Sequence, residues 1–250
     1  MKIVLDAGHH LSTPGKRSPD GMREFEFNSR VADVMKAELE KYEGVTAYFA
    51  HDSKRDVPLK ERTNRANALK ADLFFSIHAN ANTGKMGDWG GIDSFIYTSN
   101  PKEARKLAEV VQRNLIASTK LRNRGVKMAD FHVLRETNMT AILVEHGFMD
   151  SRTDLPFLKS DAYRVLCAKS NVKSIAEVYG LKLKQAPKPA KEDAKVSEEY
   201  KMSAYEEKVV AELKRLGITD GKNPLRPVNN LYIWHVVYNA LQAIKGGKVK

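Results

Sequence analysis

The chain has 250 residues, 42% of them apolar, enough to fill one good-sized domain and a small second one. No apolar run approaches the roughly 18 to 20 residues of a membrane helix, so no membrane insertion is expected. The net charge of +11 is unevenly spread, with +5 over residues 1–180 and +6 over residues 181–250, yet the basic residues are interleaved with acids and carry no aromatic-studded RNA motif or zinc-finger spacing. These features argue for an anionic polymer rather than a nucleic acid as partner.

The chain opens on Lys2-Ile3-Val4-Leu5-Asp6-Ala7-Gly8-His9-His10, an apolar run that stops at an acid, two small residues and two histidines. It reads as a buried strand, with Ala7-Gly8 turning the backbone out of the sheet and His9 beyond the strand's carboxyl end, where open α/β sheets bind ligands. An opening strand in place of a charged segment and an apolar core also predicts synthesis in the cytoplasm without a signal peptide. Leu11 to Gly21 is a polar loop that rims the site. From Met22 the apolar residues Phe27, Val31, Val34, Met35, Leu39 and Tyr42 recur at helical steps, with Glu24 in the first turn. A carboxylate there also suits the helix dipole, which is the plain structural reading of Glu24 and Glu26.

Val45–Ala50 predicts a second strand, and Pro58–Leu69 a helix with Arg62, Arg65 and Lys70 on its wet face. Asp72–Ile77 predicts a third strand, running into His78-Ala79-Asn80. A glycine-rich loop with Trp89 follows, then a strand over Ile92–Tyr97 and a helix over Pro101–Ser118. Phe131–Leu134 and Thr140–Val144 predict two further strands, the second ending in Glu145-His146-Gly147. The rest to Leu181 reads as helical, with the only cysteine, Cys167, as a buried structural thiol. Strands alternating with helices predict an α/β fold: a mostly parallel twisted sheet covered by helices on both faces, over residues 1–181. Residues 182–200, rich in proline and charge, read as a linker, and residues 201–250 as a small, mainly helical C-terminal domain.

Three strands of one parallel sheet would bring His9, His78 and Glu145 together. Zinc in catalytic sites takes three ligands from His, Glu or Asp and keeps one position for water, and His9, Glu24 and His78 fit such a set, with Glu145 beside it as general base for hydrolysis of an amide or ester. Spacing alone leaves hydrogen-bonded strand-end histidines as an alternative, since there is no His-Glu-x-x-His motif.

Asp6-Ala7-Gly8-His9, Glu24-Phe25-Glu26-Phe27-Asn28, Ser76-Ile77-His78-Ala79-Asn80 and Val144-Glu145-His146-Gly147-Phe148 share the order and spacing of the zinc-dependent N-acetylmuramoyl-L-alanine amidases of the amidase_3 type, a family that includes bacterial cell-wall amidases and phage endolysins. Residues 1–180 resemble that family. The resemblance implies one zinc ion per chain held by His9, Glu24 and His78, with Glu145 as the catalytic residue. It implies a peptidoglycan hydrolase, endolysin-like, that cleaves the amide between N-acetylmuramic acid and L-alanine with zinc-bound water. His10 and His146 depart from the family pattern, placing two extra imidazoles near the metal, either against substrate or as loop histidines. Asn80 and Arg135 are further candidates for substrate contact, and Trp89 for stacking on a sugar or anchoring its loop. His51, His132 and His235 read as structural.

Leu213-Lys214-Arg215-Leu216-Gly217-Ile218-Thr219-Asp220-Gly221 with Asn223-Pro224 resembles small helical wall-anchoring modules related to S-layer homology repeats. That implies a cell-wall binding domain gripping anionic wall polymers; a homodimerisation arm is the alternative. The expected partners are therefore bacterial peptidoglycan and anionic wall polymers, reached from a host bacterial cytoplasm after release at lysis. A zinc peptidase cutting within the stem peptide and a non-catalytic wall-binding protein are the competing readings.

Overall fold

A computed structural model describes residues 1–184. The expected C-terminal domain, His235 and the linker beyond Lys184 lie outside the described residues. Residues 182–184 continue the folded domain: the Lys182 carbonyl accepts from Glu43 N–H, and Lys184 N–H donates to the Lys41 carbonyl.

The chain order is β1 (Lys2–Ala7), α1 (Glu24–Leu39), β2 (Thr46–Phe49), α2 (Leu59–Ala68), β3 (Leu73–Asn80), β4 (Ile92–Ile96), α3 (Lys102–Thr119), β5 (Asn123–Met128), α4 (His132–Arg135), β6 (Thr140–Phe148), α5 (Leu155–Lys159) and α6 (Asp161–Tyr179). Six strands form one sheet in the order β2-β1-β3-β6-β4-β5. The pairs are parallel except β4 with β6, which runs antiparallel and makes the sheet mixed. β1, β3 and β6 hold the middle, and their near-continuous aliphatic runs follow from burial on both faces.

Because side chains alternate along a strand, the sheet has two distinct interiors. Ile3, Leu5, Phe75, Ile77, Ile142 and Val144 join the larger core, which α1, α3 and α6 cover. Val4, Phe74 and Leu143 face the other way, with Ala66 of α2 and Val133 and Leu134 of α4. That second layer is thin, and its carboxyl-end rim stays open.

Two segments differ from the sequence-based expectation. The strand expected over Phe131–Leu134 is instead a helical turn, α4 (His132–Arg135), since so short a run fits either geometry and here covers the thin face. β5, Asn123-Arg-Gly-Val-Lys-Met, was not expected as a strand: it is an edge strand with only partly buried side chains and no clean alternation.

Candidate active site

β1 and β3 pair in register with Asp6 opposite Ser76, and β3 and β6 with His78 opposite Glu145. By strand parity Asp6, Ser76, His78 and Glu145 therefore share the thin face of the sheet. α1 enters beside them with Glu24 in its first turn. His9 Nε2 lies 3.3 Å from Glu24 Oε2, and His78 Nδ1 lies 3.0 Å from Glu24 Oε1. One donor atom from each of His9, Glu24 and His78 falls within 4.8 Å of the others, a set that could hold a metal ion. Glu26, two residues further along α1, is exposed and takes no part.

The supports of this cluster are as specific as its members. Asn28, one turn on from Glu24, donates to Glu24 Oε1 at 3.2 Å and to the Gly8 carbonyl at 3.0 Å, tying α1 to the β1 loop. Ala79 N–H also donates to Glu24 Oε1, at 3.2 Å. A Cβ on Gly8 would sit 2.1 Å from His78 Cε1, so only glycine lets the imidazole lie against that backbone. His9 itself adopts a left-handed backbone, φ 63°, which costs energy for a non-glycine residue unless its surroundings hold it there.

Arg62 does the holding. Its Nη2 donates to the His9 carbonyl at 2.7 Å, Nη1 to the Ala7 carbonyl at 2.6 Å and to Asp6 Oδ1 at 2.7 Å, and Nε to the Val57 carbonyl at 2.8 Å. Asp6 in turn accepts from Ser76 Oγ at 2.8 Å. Arg62 is buried, contrary to its expected place on the wet face of α2. Buried Thr63 and Ala66 mark the same inner face, a signal of small residues that is hard to hear when its centre is a charge.

The electrostatics sort the groups by role. Burial holds His9 down to about 4, with the Glu24 charge opposing, so its ring nitrogen is free to bind a cation at neutral pH. Burial presses on His78 too, but the hydrogen bond and charge of Glu24 outweigh it and raise its pKa. Glu24 shows the converse: burial favours its neutral form, yet both imidazoles draw it below the usual carboxylate range. Glu145 has no such partner. Burial lifts it to about 8, the neighbouring Glu24 and Asp93 carboxylates adding to the rise and His78 opposing it, and its Oε2 finds no hydrogen bond among the described residues. Asp93, opposite Glu145 on β4, is itself held by Arg124 and Lys127.

A cavity of about 640 Å³ opens onto His9, His78 and Glu145. The other expected substrate contacts lie outside its lining. His146 is fully buried on the opposite face: one residue beyond Glu145, it points into the larger core, its Nδ1 donating to the His78 carbonyl at 3.1 Å and its Nε2 accepting from Asn171 at 3.0 Å. It cannot touch substrate and instead braces β3 behind the cluster. His10 is buried against Phe25 and bonded to Ser12 Oγ and the Ser53 carbonyl. Asn80 caps its own turn through Ala81 N–H, and Arg135 is paired with Asp130 and Glu136 at the surface. Trp89 anchors its loop by donating to Asp150 at 2.9 Å. Lys16 and His132, by contrast, do line the cavity.

The geometry has counterparts in known proteins. The family model described as N-acetylmuramoyl-L-alanine amidase, Amidase_3, matches residues 3–177. Over 182 residues the chain is 34% identical to the N-acetylmuramoyl-L-alanine amidase CwlM of Bacillus licheniformis, spanning 72% of this chain and 70% of that protein. It is 32% identical over 203 residues to the endolysin of Bacillus phage SPP1, spanning 80% and 74% respectively. Among solved structures, an N-acetylmuramoyl-L-alanine amidase from Clostridium difficile 630 is similar with a TM-score of 0.68 at 27% identity, over 72% of this chain and 96% of that one. The catalytic domain of CwlV from Bacillus (Paenibacillus) polymyxa gives 0.67 at 26% identity, over 72% and 99%.

Proposed function

We propose, from the fact that this chain belongs to the N-acetylmuramoyl-L-alanine amidase family, Amidase_3, that His9, Glu24 and His78 hold one zinc ion and that Glu145 moves the proton during amide cleavage. The protein is a peptidoglycan hydrolase, an N-acetylmuramoyl-L-alanine amidase that cuts between the lactyl group of N-acetylmuramic acid and the L-alanine of the stem.

One observation carries the metal reading: two imidazoles and a carboxylate, drawn from the loop after β1, from α1 and from β3, converge with their donor atoms within 4.8 Å beside a carboxylate whose buried oxygen has no partner among the described residues. Two neutral-capable nitrogens and one oxygen are the donors that zinc takes in hydrolytic sites, and the set leaves a coordination position for the reaction. When bound, zinc supplies a Lewis acid that polarises the scissile carbonyl and makes a nearby water acidic.

The remaining work falls to the chain. Glu145, desolvated and with raised proton affinity, takes the proton from the attacking water as its oxygen bonds to the lactyl carbonyl carbon. The same carboxyl then gives that proton to the alanine nitrogen as the C–N bond breaks, so the products are a free amine and a lactyl carboxylic acid, which releases the water's second proton to solvent. The raised proton affinity of Glu145 is what lets this one carboxyl first accept the proton and then hand it on. Arg62, Asp6 and Asn28 keep the β1 loop in register with α1 throughout.

For the tail, the basic composition of residues 181–250 supports retention on anionic wall polymers. Removing residues 185–250 is expected to lower sedimentation with purified walls; undiminished sedimentation favours the dimerisation arm instead. For the site, metal analysis of the purified chain should return one zinc per molecule. The wall digest should show new amino termini belonging to L-alanine and no new reducing sugar ends. New termini at any other stem residue would point to a peptidase.

A further inference from the structure

The cavity beside the cluster is chemically two-sided. Its lining combines His9, His78 and Glu145 with the apolar side chains of Val57, Leu59, Phe131 and Leu143. Leu59 and Phe131 are among the few large apolar side chains left exposed in the described residues, at 52% and 38%, and both face this one cavity. The Phe131 ring is fixed by packing on Phe95 at 5.2 Å, so this is a built wall rather than a loose rim.

Two permanent cations line the cavity. Arg62 has its guanidinium taken up by Asp6 and three backbone carbonyls. Lys16 is different: its ammonium is exposed and makes no ion pair or side-chain hydrogen bond with any described residue. Its backbone is nonetheless anchored, the Lys16 carbonyl accepting from Glu24 N–H at 3.1 Å, which ties this lysine to the turn that carries a ligand of the cluster. The acid at the same rim, Asp56, does not neutralise the Lys16 ammonium, since Asp56 accepts from Thr13 Oγ1 and faces Arg62 at 3.7 Å.

The amide cut by an amidase of this specificity is followed by L-alanine and then by a glutamate joined onward through its γ-carboxyl. That linkage leaves an α-carboxylate, or its carboxamide in amidated walls, two residues from the scissile bond, about 7 Å along an extended chain. We propose that the cavity is the stem-peptide subsite, with the alanine methyl against the Leu59–Phe131 wall and the free α-carboxylate of the second residue on the Lys16 ammonium. The inference rests on the amidase reading and adds to it a preference between two wall chemistries.

The test uses the full chain and two soluble muramyl tripeptides that differ only in this group, one with the α-carboxylate and one with the α-carboxamide. The parental enzyme should favour the acid by about tenfold in kcat/KM, equivalent to about 1.4 kcal/mol. Lys16→Gln should abolish the preference and Lys16→Glu invert it. Phe131→Ala should raise KM for both peptides alike. A parental enzyme that cuts both equally, a Lys16→Gln enzyme that keeps the preference, or an unchanged KM in Phe131→Ala overturns the subsite while leaving the amidase intact. A parental enzyme that cuts neither tripeptide nor walls overturns the amidase reading, and the subsite with it.

Discussion

Arg62 Nη1 lies 2.7 Å from Asp6 Oδ1, with both side chains almost completely buried, and the same guanidinium holds the carbonyls on either side of Gly8. A charge is buried here because the β1 loop ends in carbonyls that no strand partner can satisfy, and a planar fork with several donors meets them at once. Lysine cannot reproduce that fork. Arg62→Lys is therefore expected to leave the loop carrying His9 underdetermined and weaken metal binding by roughly 10- to 100-fold, in the range seen for residues that orient ligands. Arg62→Met, which strands Asp6, should cost about 3–5 kcal/mol of stability, and pairing it with Asp6→Asn should recover part of that loss. Chelator competition and denaturant titration separate the two effects; unchanged metal affinity in a folded Arg62→Lys protein would remove Arg62 from the positioning role.

Glu145→Gln preserves shape and removes the proton acceptor. The expected result is unchanged metal content with wall lysis down by roughly 10²- to 10⁴-fold. Because burial already favours the neutral acid in the metal-free fold, the amide should be tolerated and the melting temperature should hold or rise. Lysis at the parental rate would assign the base elsewhere.

How much of this was legible beforehand depends on what each residue asks of its neighbours. β1, β3 and β6 were readable because a strand buried on both faces needs consecutive large apolar residues, and their ends carried His9, His78 and Glu145 visibly. β5 was not, as an edge strand with polar, half-exposed side chains leaves no such trace. His10 and His146 show the limit of adjacency: His146 follows Glu145 in β6 and so points to the other face, against Phe27, while His10 follows the left-handed His9 in a loop and packs on Phe25. Arg62 was hidden for a different reason, since periodicity counts apolar residues and a buried arginine among small neighbours registers as surface. Lys16 sat in a loop that could be read as rimming the site, but nothing in a loop's composition says which side chain turns inward.

Acid stability should depend on His51. Its Nδ1 accepts from Ala7 N–H at 3.0 Å, and burial, reinforced by the Arg62 charge against the pull of Asp6, holds its pKa down to about 4 from 6.5. Between those values the unfolded chain binds a proton that the fold excludes. Its contribution is therefore complete above pH 6.5 and is lost as pH falls toward 4, at up to about 1.4 kcal/mol per pH unit. His51→Asn keeps an acceptor but cannot titrate. Between pH 6.5 and 5 the parental protein should lose about 2 kcal/mol more than this variant in denaturant titrations run with chelator present. Equal losses would mean that His51 protonates in place.

Gly8→Ala is the sharpest probe of the cluster, because it replaces no ligand residue. The added methyl would lie 2.1 Å from His78 Cε1 and 2.4 Å from Nε2, far inside any tolerable contact, while the glycine's φ is not of the left-handed kind, so the backbone itself accepts alanine. Relief has to come from the imidazole, which is otherwise held by Glu24, with its own backbone carbonyl bonded to His146. The His78 ring should swing away, taking one donor from the set, and metal affinity should fall by at least about tenfold, as expected when a ligand is misplaced. Far-ultraviolet circular dichroism should stay parental, since the strand pairing of β1 with β3 ends beside this point. A Gly8→Ala protein that binds zinc as tightly as the parent would show that His78 is not needed for the metal, and would leave only His9 and Glu24 of the proposed site.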